Sequence, residues 1–146
     1  MIFFQTSQSL TDEDLNKIEN DFKFELPKEF KDHYLKYNGG YPEKDAFIWN
    51  TGERTTLNTF FSIKYPGFIS LESTYQSLVL DEKILPGSII PFATDDGGNF
   101  FCISAKETTY GSIYYYNHEH YNEQNKEEAL TLINKSFNEF LNALDK

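Results

Sequence analysis

The stretch Ile89–Ile103 constrains the fold of this chain more than any other part of it. It reads Ile-Ile-Pro-Phe-Ala-Thr-Asp-Asp-Gly-Gly-Asn-Phe-Phe-Cys-Ile, two apolar runs rich in β-forming residues around Asp95-Asp96-Gly97-Gly98-Asn99. That pattern predicts a β-hairpin whose loop needs left-handed backbone at Gly97 or Gly98. Strict alternation sets Ile90 and Phe92 on one face of the first arm and Ile89, Pro91 and Ala93 on the other, while Phe100 and Cys102 oppose Phe101 and Ile103. With both faces apolar, the hairpin has to lie centrally and be covered on each side. Pro91 has no N–H to give to a ladder, which predicts a bulge or an unpaired position there.

The segments around this hairpin follow from period and punctuation. Thr11-Asp12-Glu13-Asp14 is a capping signal that opens a first helix carrying Leu15, Ile18 and Phe22. Pro27 is placed to be the first residue of a second helix, with Leu26, Phe30, Tyr34 and Tyr37 on one stripe and Asn38-Gly39-Gly40 ending it with a glycine for a left-handed cap. From Ala46 the period changes: Ala46–Trp49 reads as a strand, Asn50–Glu53 as a turn, and Thr55–Ile63 as a second strand. Ser70 caps a middle helix with Leu71, Tyr75, Leu78 and Val79 that closes before Pro86-Gly87. After the hairpin comes a strand Ile113–Tyr116, and Leu130, Ile133, Phe137, Phe140, Leu141 and Leu144 trace the stripe of a C-terminal helix of about four turns. The expected fold class is α+β: a single domain over residues 1–146 with a central, mostly antiparallel sheet against which an N-terminal helix pair, a middle helix and a C-terminal helix pack.

Composition sets the outer limits. A chain of 146 residues with 14 Phe and 10 Tyr is able to bury a sizeable core without a disulfide or metal, and its single cysteine, Cys102, lies inside an apolar strand, where a buried thiol acts as a small hydrophobe. The opening Met-Ile-Phe-Phe-Gln has no basic region, and no apolar run reaches membrane-spanning length, so the expected location is the cytoplasm, with no membrane partner. Thirteen Lys plus Arg against 23 Asp plus Glu give a formal charge of −10. Phosphate binding needs a dense basic surface, so nucleic acid is excluded as the expected partner; the same field attracts a basic protein. Acidity that serves solubility alone is the alternative.

Catalytic patterns are mostly missing. His118-Glu119-His120 puts two imidazoles two apart, which would share a face on a strand, but no third ligand follows at a fixed spacing, and neither a metal nor a cofactor is expected. Asp95 and Asp96 are able in principle to form an acid/base pair, while adjacent aspartates before Gly-Gly also suit a hairpin turn on conformational grounds. No nucleophile elbow, phosphate-cradling loop or His-Glu-x-x-His motif occurs. Tyr41, Trp49, Tyr114 and Tyr116 fall near strand ends or turns, where such side chains anchor protein partners or simply edge a core.

Three motifs in order resemble the SUKH superfamily, the Smi/Knr-type domain. They are Leu26-Pro27-x-x-Phe30 leading to Tyr37-Asn38-Gly39-Gly40, then Ile90-Pro91-Phe92-Ala93-x-Asp95-x-Gly97-Gly98-Asn99-Phe100-Phe101-Cys102, then Gly111-Ser112-Ile113-Tyr114-Tyr115-Tyr116-x-His118. The resemblance spans about Leu10 to Leu144, and Tyr116 stands where relatives often carry tryptophan. It implies an α+β fold with a non-catalytic role. Bacterial members are similar to immunity proteins that neutralise a polymorphic toxin, and fungal members to scaffolding regulators of cell-wall synthesis. The immunity role fits a small acidic chain better, with a basic toxin domain such as a nuclease as partner and inhibition by occlusion through an acidic, aromatic face. Tyr41, Trp49, Asp95, Asp96, Tyr114, Tyr116 and Glu119 are the residues expected on that face, although Asp95 and Tyr116 are also able to serve the fold. A small hydrolase using Asp95 and Asp96 or His118 is the remaining alternative.

Overall fold

The computed structural model describes residues 1–146. In chain order it contains β1 (Phe3–Phe4), α1 (Asp12–Phe22), α2 (Lys28–Lys36), β2 (Tyr41–Pro42), β3 (Ala46–Ile48), β4 (Arg54–Phe60), α3 (Leu71–Tyr75) continued by a π-helical turn over Gln76–Asp81, β5 (Ile89–Asp95), β6 (Phe100–Ser104), β7 (Ile113–Tyr116), β8 (Leu130–Asn134) and α4 (Phe137–Ala143). The hairpin β5–β6 is the middle of a six-stranded antiparallel sheet in the order β3-β4-β5-β6-β7-β8. Its successive residues Phe101 and Cys102, which point to opposite faces, are both fully buried, so the hairpin is covered on both faces. The register slips between Pro91 and Ala93, where proline cannot join the ladder. The slip corrects the strict alternation expected for the first arm. Ile90 pairs with Ile103 and Ala93 with Phe101, so Ala93 joins the face of Ile90 instead of opposing it.

Aromatic rings assemble one side of the core. Phe30 of α2, Phe92 of β5 and Phe137 and Phe140 of α4 meet with ring centroids 5.2 to 5.8 Å apart, mostly edge to face. The Tyr34 hydroxyl donates to the Phe61 carbonyl at 2.8 Å, satisfying its one polar atom inside that core. Elsewhere Phe22 and Phe24 pack on Tyr75 of α3. Thr11 caps α1 in a full capping box with Asp14, as its sequence implies.

Local departures have local causes. Pro27 is the cap of α2 rather than its first residue, since its carbonyl accepts the first helical bond from Lys31. The helix ends at an extended Tyr37, and the left-handed glycines lie beyond it. Gly40 (φ +94°) exchanges two backbone bonds with Phe60, and a Cβ there would sit 2.4 Å from the Phe4 carbonyl. That close approach builds the small sheet β1–β2, which the sequence pattern does not signal. Asn38, buried beside it, donates to the Gln8 and Ile63 carbonyls and accepts from Ile63 N, fastening the chain after α2 to the strand edge.

The C-terminal stripe is not one helix. Leu130–Asn134 is the edge strand β8, paired with β7, and only Phe137–Ala143 is helical. Ser136 caps α4 by accepting from Glu139 N, while Glu139 reaches back to Lys135 N. A start signal at Ser136 and the run Leu-Thr-Leu-Ile outweigh an apolar spacing that happens to match a helical period. The strand expected over 55–63 likewise ends at Phe60, after which Phe61 N bonds Phe92 O and Ser62 N bonds Ile69 O.

Candidate functional site

The second and third motifs meet at one end of the sheet. Asp95 closes β5 and Asn99 precedes β6, with Gly98 left-handed between them (φ +82°). The buried Asp95 carboxylate accepts from Gly97 N (2.8 Å), Asn99 N (2.9 Å) and the Tyr115 hydroxyl of β7. Asn99 extends the network: its Nδ2 donates to the Tyr115 hydroxyl at 2.8 Å, and its Oδ1 accepts from the His118 backbone N at 2.9 Å and faces His118 Nδ1 at 2.6 Å. Strand alternation explains the geometry. Tyr115 pairs with Phe101 and points to the same face, whereas Tyr114 and Tyr116 point to the other. Burial raises the Tyr115 hydroxyl well above the ordinary tyrosine range, and its bond to Asp95 adds to that.

Trp49, just past β3, completes this end. Its ring meets Tyr115 edge to face at 5.2 Å, and its Nε1 donates to Thr55 Oγ1 at 2.7 Å. Glu119 stands in the short 3₁₀ turn His118–His120, close enough that its charge also raises Tyr115. Asp96 is exposed in the hairpin loop, where its N–H is bonded to the Thr56 carbonyl.

Of the residues expected on one face, Trp49 and Glu119 therefore lie beside Tyr115, and Asp96 is exposed in the loop directly after Asp95. Two others point inward, which corrects their expected exposure. Asp95 is 5% exposed because the turn and Tyr115 consume its oxygens, and Tyr116 is 4% exposed against Phe100. Tyr41 lies apart, on the small sheet beside exposed Phe68, with ring centroids 6.5 Å apart. Tyr114 lies on the opposite face of β7, near Ile89 and Leu130. Sequence reasoning passed over Tyr115 and Asn99. The signal available was the motif spacing itself: Asn99 immediately precedes the β6 residues that pair with β7, and Tyr115 lies opposite Phe101 within that pairing.

The chemistry of the cluster is cohesive. Asp95 and Asp96 do not act as a pair, since one carboxylate is engaged in the turn and the other faces solvent. The two histidines sit in a 3₁₀ turn rather than on a strand, and no group of three or more His, Cys, Asp or Glu side chains is placed to hold a metal ion. Cys102 is fully buried, and burial pushes its thiol up, away from the nucleophilic thiolate. What the network does is tie two loops, 96–99 and 117–120, to the sheet.

A groove adjoins the cluster. The six-stranded sheet curls far enough that β3 and β8, its two ends, line one opening of about 340 Å³, with Trp49 on its wall. No helix is long and apolar enough to cross a membrane. A family model described as the SMI1 / KNR4 family (SUKH-1) matches residues 9–143. No curated protein matches the chain.

Proposed function

The chain belongs to the SMI1 / KNR4 (SUKH-1) family, and on that premise we propose that it is a non-catalytic, cytoplasmic immunity protein that binds and occludes a basic toxin domain. The observation that carries this reading is the Asp95–Asn99–Tyr115–His118 network, anchored on buried Asp95 and Tyr115 with Trp49 packed against Tyr115, which pins the two loops that bear exposed Asp96 and Glu119. A rigid acidic rim with an aromatic neighbour suits a partner whose working surface is positive, and loops already ordered lose little entropy on binding. The net charge of −10 supports the same direction by speeding the encounter with a cationic domain. A nuclease is the toxin class that best matches, because its phosphate-binding surface is basic.

A scaffold of the cell-wall regulatory kind is the second reading. It is favoured by one observation, the separate exposed aromatic patch of Phe4 and Phe68 beside Tyr41, which offers a second surface for another partner.

Co-production with the toxin domain encoded beside it tests the first reading. Copurification as a stable complex together with restored growth is the expected result. A verified toxic domain that neither binds nor is neutralised would overturn it.

A further inference from the structure

Most edge strands carry a charge, a proline or a cover that blocks pairing with another chain. The edge strand β8, Leu-Thr-Leu-Ile-Asn, has no charged residue and no proline, and it pairs with β7 alone. The bond from Asn117 N to Ala129 O sets the direction of its backbone groups. Thr131, opposite Tyr115, turns to β7, so Leu132, opposite Tyr114, projects its N–H and C=O outward. The Leu132 side chain is 52% exposed.

The wall across the groove is β3 and the turn after it. Ala46 exchanges two backbone bonds with Asp145, at 2.7 and 2.9 Å, so that part of the β3 edge is covered. Ile48, two residues on, has the same orientation as Ala46 and is 38% exposed, facing the groove with Trp49. Glu53 is the one charged side chain lining the opening.

We propose that this groove receives an extended segment of the partner protein, which adds as a strand to the outer edge of β8. An aliphatic side chain of the segment packs between Ile48 and Leu132, and a lysine or arginine reaches Glu53. Unpaired backbone groups select a polypeptide, because only a peptide backbone matches their alternation of donor and acceptor. The charge selects its sign: a lone carboxylate in an apolar groove of a chain with net charge −10 favours a cationic segment and disfavours a second copy of this chain. The inference rests on the partner-binding reading and adds where and how the partner engages.

The test is residue-resolved amide exchange by NMR on the full chain, alone and with the co-encoded toxin domain, accompanied by Ile48→Lys and Leu132→Lys. Both substitutions are at exposed positions, so thermal unfolding should not change. The expected result is slowed exchange at the Leu132 amide on binding and a loss of affinity of about tenfold or more in each variant. A complex that forms while Leu132 exchanges as before overturns the inference and leaves the partner-binding reading intact. Failure of any complex to form overturns the reading itself, and the inference with it. If the free chain sediments as a dimer that Leu132→Lys dissociates, the occupant is a second copy and the proposal is wrong.

Discussion

The Tyr115 hydroxyl donates to the Asp95 carboxylate, tying the middle of β7 to the turn of the β5–β6 hairpin. Both residues are buried, and the Asp95 carboxylate is the acceptor for the Tyr115 hydroxyl proton, so losing the carboxylate leaves a buried donor without a partner. The bond therefore bears on stability and on the order of the loops that the network holds.

Removing the carboxylate strips acceptors from two backbone amides and the tyrosine at once. Asp95→Ala is expected to lower stability by about 3 kcal/mol, and Tyr115→Phe by about 1–2 kcal/mol, read from urea unfolding. The double variant should cost less than the sum, because both changes break the same bond. Full additivity would show that the two side chains act independently.

His33 gives the chain an acid limit. Its Nε2 is buried without a partner among Phe3, Phe60 and Phe137, and burial, with a smaller contribution from Lys36, lowers its pKa from the ordinary 6.5 to about 4. The unfolded chain therefore takes up this proton more readily than the folded one, so stability is complete above the ordinary value and falls as pH drops toward about 4. The loss should approach about 3 kcal/mol, and below the folded pKa it levels off. His33→Phe should flatten this part of the curve in chemical unfolding measured between these pH values; an unchanged slope would place the proton uptake elsewhere.

Gly40 and Gly87 make opposite predictions for the same substitution. Gly40→Ala drives a Cβ against the Phe4 carbonyl in a left-handed position and should cost about 3 kcal/mol or more, seen as a lowered melting temperature and the loss of the β1–β2 pairing. Gly87 has open space around it and no left-handed backbone, so Gly87→Ala should leave stability unchanged or raise it by about 0.5 kcal/mol.

The hairpin is legible in the sequence because its signals agree: β-forming runs, a Gly-Gly turn and a proline that requires a bulge all describe the same structure. The C-terminal segment misleads because Leu130 and Ile133 fall in helical phase with Phe137 by coincidence, while the cap formed by Ser136 and Glu139 marks the true start of α4. Of the site, the motif residues are visible but their directions are not. Alternation shows that Tyr115 opposes Tyr114 and Tyr116, yet only the pairing of Phe101 with Tyr115 decides which of them meets Asp95. The groove is hidden for a related reason. It is made by the first and last strands of the sheet, which only its curl brings together.

The acidic rim is tested most directly by the association rate of the chain with its co-encoded toxin domain, measured at low and physiological salt for the native protein and for Asp96→Lys/Glu119→Lys. Both residues are exposed, so the fold should be unaffected. The expected result is a rate lowered by about tenfold with a weaker dependence on salt. A rate, salt dependence and affinity equal to those of the native protein would contradict the claim that Asp96 and Glu119 form the partner-binding surface.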